Sequence, residues 1–135
     1  MSFIFKPAVR EQTSLIIVFS GPSGGGKTKS ALRLATGLAN GGKIAFIDTE
    51  NGRGLHYADQ FKYDYCELSE PFSPARYADA IKSADDAGYA VIVLDSFSHS
   101  WNGSGGCQDM HDAVLDRMAG SDWNKRERLN VTAWG

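Results

Sequence analysis

Most of the features that assign a chain at first sight are scarce here. There are only two cysteines, Cys66 and Cys107. They are isolated and not in metal-binding spacing, so they exclude a disulfide framework and read as reduced thiols of a cytosolic protein. The only apolar patch near the N-terminus, Phe3 to Phe5, is cut short by Lys6-Pro7. That is too short for a signal peptide, and no run approaches membrane-spanning length. Neither charge sign dominates: 14 Lys and Arg face 16 Asp and Glu, a formal net charge of -2. The total makes no electrostatic case for nucleic acid, although a local basic patch is compatible with it. His56, His111 and the cysteines form no ligand cluster. Internal repeats, low-complexity segments and interdomain linkers are absent. The expectation is one domain over residues 1–135, with 1–14 as a lead-in segment and 121–135 poorly defined.

What the chain does have is Gly21-Pro22-Ser23-Gly24-Gly25-Gly26-Lys27-Thr28, which fits the phosphate-binding pattern G-x-x-x-x-G-K-[ST] at every fixed position. The apolar run Leu15–Phe19 precedes it and reads as a strand buried on both faces, as in a parallel sheet. A helical run, Lys29 to Asn40, follows. Glycines let the backbone wrap closely around phosphate oxygens. Successive N–H groups and the helix N-terminus then favour an anion. In such a loop Lys27 reaches the β- and γ-phosphates and Thr28 offers its hydroxyl to Mg²⁺. The expected nucleotide-contacting set is Gly21 to Thr28 with Lys29.

Beyond this loop the pattern alternates. In the first helix Ala31, Leu32, Ala35, Leu38 and Ala39 share a face, and Gly41-Gly42 stops it. Lys43–Asp48 reads as the second strand and Leu55–Phe61 as a short helix. Tyr63–Leu68 reads as a weaker strand, interrupted by Asp64 and Glu67. Ser73-Pro74 gives an N-cap and a first-turn proline for a helix whose Tyr77, Ala80, Ile81 and Ala84 face one way, ending at Gly88. Tyr89–Asp95 is the strongest strand. Ser96–Gly106 reads as a polar, glycine-rich loop. Gln108–Met118 reads as a helix with the stripe Met110, Val114, Leu115 and Met118 and a stop at Gly120. Strands alternating with helices imply right-handed parallel βαβ units, hence a three-layer α/β domain with a mainly parallel sheet. Ligands of such sheets bind beyond the carboxyl ends of the strands. The glycine-rich loop, Asp48-Thr49-Glu50 and Asp95-Ser96 all fall there.

Asp95 closes an apolar strand as a Walker B aspartate does and is expected to help hold Mg²⁺ together with Thr28. Ser96 stands where many P-loop ATPases carry a glutamate. Glu50, just past the second strand, is the substitute best placed to position water beside a terminal phosphate. From spacing alone a solvated loop-end glutamate is an equal reading. Arg53, in Asn51-Gly52-Arg53-Gly54, reads either as a nucleotide or neighbouring-subunit contact or as an ordinary exposed arginine.

Phe46-Ile47-Asp48-Thr49-Glu50 and Val91-Ile92-Val93-Leu94-Asp95-Ser96 resemble the corresponding segments of RecA-like recombinase ATPases. More closely, the chain is similar to phage-encoded RecA-like ATP-binding proteins, often labelled AAA-family ATPases, some linked to single-strand annealing and recombination. The likeness is carried by Gly21–Thr28, Asp48–Gly54, Pro71-Phe72-Ser73-Pro74 and Asp95–Trp101, and runs from about Phe5 to the end. It implies a RecA-like three-layer fold, Mg-ATP binding and hydrolysis with ATP and Mg²⁺ as ligands, and Glu50 and Lys27 as the catalytic pair. It further implies single-stranded DNA as a partner, a homo-oligomer, and a cytoplasmic location, that of the host if phage-encoded. Relatives continue past a Trp-Gly like Trp134-Gly135 into a helix and a strand with a polar sensor residue, which lies between the P-loop strand and the Walker B strand. The expectation is therefore a C-terminally truncated core, with an open slot between Leu15–Phe19 and Val91–Leu94.

Two other readings stand beside this one. A small P-loop kinase needs an acceptor pocket and an arginine-bearing lid, which the sequence does not display. A non-catalytic nucleotide-binding or assembly module fits the missing sensor strand and the lack of an arginine finger. His99 and Trp101 could stack on bases, but a loop tryptophan packed on the core is the simpler reading. Lys125, Arg126 and Arg128, near Trp123, read more simply as a solvated basic stretch than as phosphate contacts.

Overall fold

Two short apolar segments, Ile44–Asp48 and Val91–Asp95, pair in parallel at the heart of the molecule. The computed structural model describes residues 4, 5, 7 and 14–134. Most of the expected lead-in segment, and Gly135, therefore lie outside the described residues. Strand β1 (Ile44–Asp48) is central and buried at all five positions, as its unbroken apolar run requires. It pairs in parallel with β2 (Asp64–Glu67) on one side and β3 (Val91–Asp95) on the other, giving the order β2-β1-β3. The register sets Asp48 opposite both Glu67 and Asp95, so three carboxylates end their strands at one sheet edge.

Helices cover both faces. Helix α1 (Lys27–Ala39) lays Leu32, Ala35 and Ala39 on Ile44, Phe46 and Val93. On the opposite face Ile47 packs with Leu68, Phe72 and Tyr77 of α2 (Pro74–Asp86), with Ile92 and Leu94 against the same cluster. Phe46 and Ile47 point to opposite faces because strand side chains alternate. Leu32 and Phe46 are completely buried, each contributing about 1.5–3 kcal/mol through apolar burial. Leu38, placed on the buried face by sequence spacing, is 47% exposed, and the stripe that packs is narrower. Ile81 of α2 likewise turns partly outward. Pro74 opens α2 as expected, but the Ser73 side chain makes no capping bond; its carbonyl accepts from the Arg76 and Tyr77 N–H groups instead.

The expected strand Leu15–Phe19 does not form. These residues are irregular and exposed, Ile16 by 94% and Val18 by 83%. A strand requires a neighbour for its backbone groups. Among the described residues the far side of β3 carries no partner, so the run has no ladder to join. The direct pairing of Leu15–Phe19 with β3 that would have closed the expected slot is not seen. Two shorter corrections follow. The helix placed at Leu55–Phe61 is a 3-10 turn at Arg53–Tyr57. The loop at Ser96–Gly106 contains the short helix α3 (His99–Asn102).

The last third of the chain is helical. Helix α4 (Cys107–Ala119) packs on α3, on α5 (Trp123–Leu129) and on a final turn at Thr132–Trp134. The segment from residue 121 is thus better organised than its sequence suggests: Asp122 caps α5 by accepting the Lys125 N–H at 3.0 Å. In α4 the buried residues are His111, Leu115 and Ala119, so Leu115 of the expected stripe is buried while Met110 is 52% exposed. The His111 ring stacks on Trp134 at 4.1 Å, and its Nε2 lies 3.0 Å from the Asn130 carbonyl.

Candidate functional site

The glycine-rich loop reaches α1 through backbone conformations that favour glycine: Gly24 has φ 76° and Gly26 φ 77°. The loop curls so that Lys27 Nζ donates to the carbonyls of Gly21 at 2.9 Å and Pro22 at 2.8 Å. At the next residue, Thr28 Oγ1 donates to Asp95 Oδ2 at 2.6 Å. This bond joins residues 67 apart in sequence and ties the start of α1 to the end of β3. It is the contact expected of a hydroxyl and a strand-end carboxylate that share a metal.

The loop, the ends of β1 and β3 and the 3-10 turn enclose a cavity of about 430 Å³. It is lined by Ser23–Thr28 together with Glu50, Arg53, His56, Tyr57 and Asp95. That volume lies within the range of small-ligand sites, about 300–1,000 Å³. Of the residues picked from sequence, Ser23 to Thr28, Glu50 and Asp95 line it. Gly21 and Pro22 act behind it by holding Lys27, and Lys29 is not part of the lining.

The backbone of Glu50 is held by Asp48, which the sequence placed at the same strand end without giving it a role of its own. Asp48 is fully buried, and its Oδ1 accepts the Glu50 N–H at 2.6 Å. Its Oδ2 accepts from the Gly54 N–H at 2.9 Å and from the Tyr65 hydroxyl at 3.2 Å. Burial, then the neighbouring Asp48 carboxylate, push the Tyr65 hydroxyl up to about 12. Tyr63 donates to the Gly54 carbonyl and is raised for the same reasons, burial first. Gly54 is itself buried against the Phe46 ring, with which any Cβ would collide. The turn from β1 is therefore pinned at its base. At its rim Arg53 Nη1 donates to Glu50 Oε2 at 2.8 Å, and the hydrogen bond and charge of Glu50 raise the guanidinium further.

Thr49 joins the two strand ends. Its Oγ1 accepts from the Ser96 N–H at 2.8 Å and lies 2.9 Å from His99 Nδ1. The His99 ring stacks on Phe72 at 4.9 Å, and Trp101 stacks on Trp134 at 5.2 Å. Both residues weighed as base-stacking candidates thus already have aromatic partners within the chain. Of the basic stretch, Arg126 pairs with Asp116 and Arg128 bonds to the Asn124 carbonyl of its own helix. No helix is long and apolar enough to cross a membrane among the described residues.

The donor set suits a hard divalent cation. Thr28 and Asp95 present adjacent oxygen donors, the kind of ligand Mg²⁺ prefers, and Mg²⁺ completes its shell with phosphate oxygens and water. Among the described residues no three His, Cys, Asp or Glu side chains form a group able to hold a metal by themselves.

No significant match was found among curated proteins or among solved structures. A family model described as an AAA domain does match, over residues 13–127, which takes in the glycine-rich loop, all three strands and the cavity between them. The chain belongs to the AAA domain family.

Proposed function

We propose that this chain binds Mg-ATP in the cavity between the glycine-rich loop and the β1 and β3 ends, and acts as an ATPase of RecA-like type. Membership of the AAA domain family points to ATP binding. The observation that carries the site assignment is the Thr28–Asp95 bond, in the lining of a cavity that Glu50 also lines. In this reading Lys27 exchanges its loop carbonyls for phosphate oxygens. Thr28 and Asp95 hold Mg²⁺, which when bound neutralises phosphate charge. Glu50, its backbone fixed by Asp48, orients and deprotonates the attacking water. The likeness to phage-encoded recombination ATPases extends the reading to single-stranded DNA and to an oligomer.

Thermal unfolding with and without Mg-ATP tests the site. A ligand at a hundred times its dissociation constant adds about 2.7 kcal/mol to the folded state. That rise is expected in the wild type and lost in Lys27→Ala; no rise in the wild type rejects the reading. Glu50→Gln is expected to keep the rise and abolish turnover. Stimulation of turnover by single-stranded DNA tests the coupling to DNA, and an unchanged rate removes it. One observation favours a second reading, a nucleotide-binding module without turnover: Leu15–Phe19 stays outside the sheet, leaving the loop anchored mainly from the α1 side. Lys27-dependent hydrolysis by these residues alone would overturn that alternative.

A further inference from the structure

Arg53 lines the cavity together with the glycine-rich loop, and the placement of its backbone is over-determined. The next residue, Gly54, is buried, bonded at its N–H to Asp48 and at its carbonyl to Tyr63, and backed by Phe46. The preceding Gly52 holds φ 86°. The backbone under Arg53 is thus fixed to the sheet, while its side chain remains 62% exposed. Its one ion-pair partner among the described residues is Glu50, three residues earlier. Asp95, the partner of Thr28, and the buried Asp48 also act on the guanidinium through their charge. Arg53 lines the same cavity as Lys27, Thr28, Glu50 and Asp95, and its guanidinium sits on Glu50 at 2.8 Å.

An exposed ion pair between near neighbours in sequence is weak, because water competes for both groups. A phosphate end offers the same planar guanidinium two oxygens and more charge. We propose that Arg53 reads the terminal phosphate of a bound nucleoside triphosphate, exchanging Glu50 for it. The residue then distinguishes triphosphate from diphosphate, and the same exchange frees the Glu50 carboxylate. This rests on the phosphate-site reading above and adds to it a specificity residue supplied from within the chain.

The test is equilibrium titration with ADP and with the non-hydrolysable β,γ-imido analogue of ATP, on wild type, Lys27→Ala, Arg53→Ala, Arg53→Lys and Glu50→Gln. Arg53→Ala is expected to weaken the triphosphate analogue about tenfold and ADP less than about twofold, with Arg53→Lys between wild type and alanine. Glu50→Gln removes the competing charge and is expected to leave triphosphate affinity equal or tighter. Equal losses on both nucleotides in Arg53→Ala, no loss on either, or weaker triphosphate binding in Glu50→Gln each overturn the exchange. Lys27-dependent binding combined with any of those three results rejects only the role of Arg53. A wild type that binds neither nucleotide, or a Lys27→Ala that binds both as well as wild type, rejects the phosphate site and Arg53 with it.

Discussion

Asp48 is a buried carboxylate whose hydrogen bonds come from two backbone N–H groups and the Tyr65 hydroxyl. Replacing it with alanine leaves the Glu50 and Gly54 amides without acceptors at the base of the turn. Each such loss costs about 1–3 kcal/mol, so urea unfolding of Asp48→Ala is expected to show a deficit of about 2–6 kcal/mol; a variant within about 0.5 kcal/mol of wild type would mean water replaces the carboxylate at no cost. Tyr65 makes a pH prediction. Its folded pKa is raised to about 12, above an ordinary value of 10.0. A raised acid favours the protonated folded state, so its contribution is complete below pH 10 and is lost as pH climbs towards 12. Stability measured across that window should fall, and Tyr65→Phe should flatten part of the fall. The glycine-rich loop was legible from sequence because its chemistry lies within eight consecutive residues. The Asp48 cluster was not, since the Tyr65 hydroxyl lies beside that carboxylate only once β2 has paired with β1, and Tyr63 acts one step removed, on the Gly54 carbonyl.

At the scale of elements, burial on both faces explains which segments were readable. Ile44–Asp48 and Val91–Asp95 are uninterrupted apolar runs ending in aspartate, and both are strands of the sheet. Leu15–Phe19 has the same local character and is no strand, because strand formation depends on a partner that composition cannot supply. The stripe of α4 shows the converse: His111 takes a buried place beside Trp134, which an apolar template assigns to Met110. The β1–β3 junction offers a test at this scale. Thr49 Oγ1 accepts the Ser96 N–H across the two strand ends, beside the nucleotide cavity. Thr49→Val keeps the shape and removes the acceptor. The expected cost is about 1–3 kcal/mol, together with weaker Mg-ATP stabilisation, since Ser96 follows the Asp95 that binds Thr28. A loss of stability with nucleotide response unchanged would show that the clasp supports the fold alone.

For the whole molecule, the sheet is covered on both faces, and among the described residues both of its edges are open. The outer side of β3 has no strand beside it among the described residues, and Leu15, Ile16 and Val18 stand 71%, 94% and 83% exposed. Leu34 and Leu38 on the outward side of α1 add apolar surface. Unpaired strand edges and contiguous exposed apolar residues both promote association. Sedimentation over a concentration series is therefore expected to show larger species growing in with concentration. Ile16→Ser with Val18→Ser should return the chain towards a monomer while shifting unfolding free energy by no more than about 0.5 kcal/mol, the usual range for surface changes. A double variant that instead loses several kcal/mol would mean the run is packed in solution and that the sheet recruits it. Nucleotide binding by the same variant separates the two ways of anchoring the loop. If α1 and the Thr28–Asp95 bond hold it, Mg-ATP stabilisation survives the substitutions; if Leu15–Phe19 must dock before the loop can close on phosphate, it falls with them.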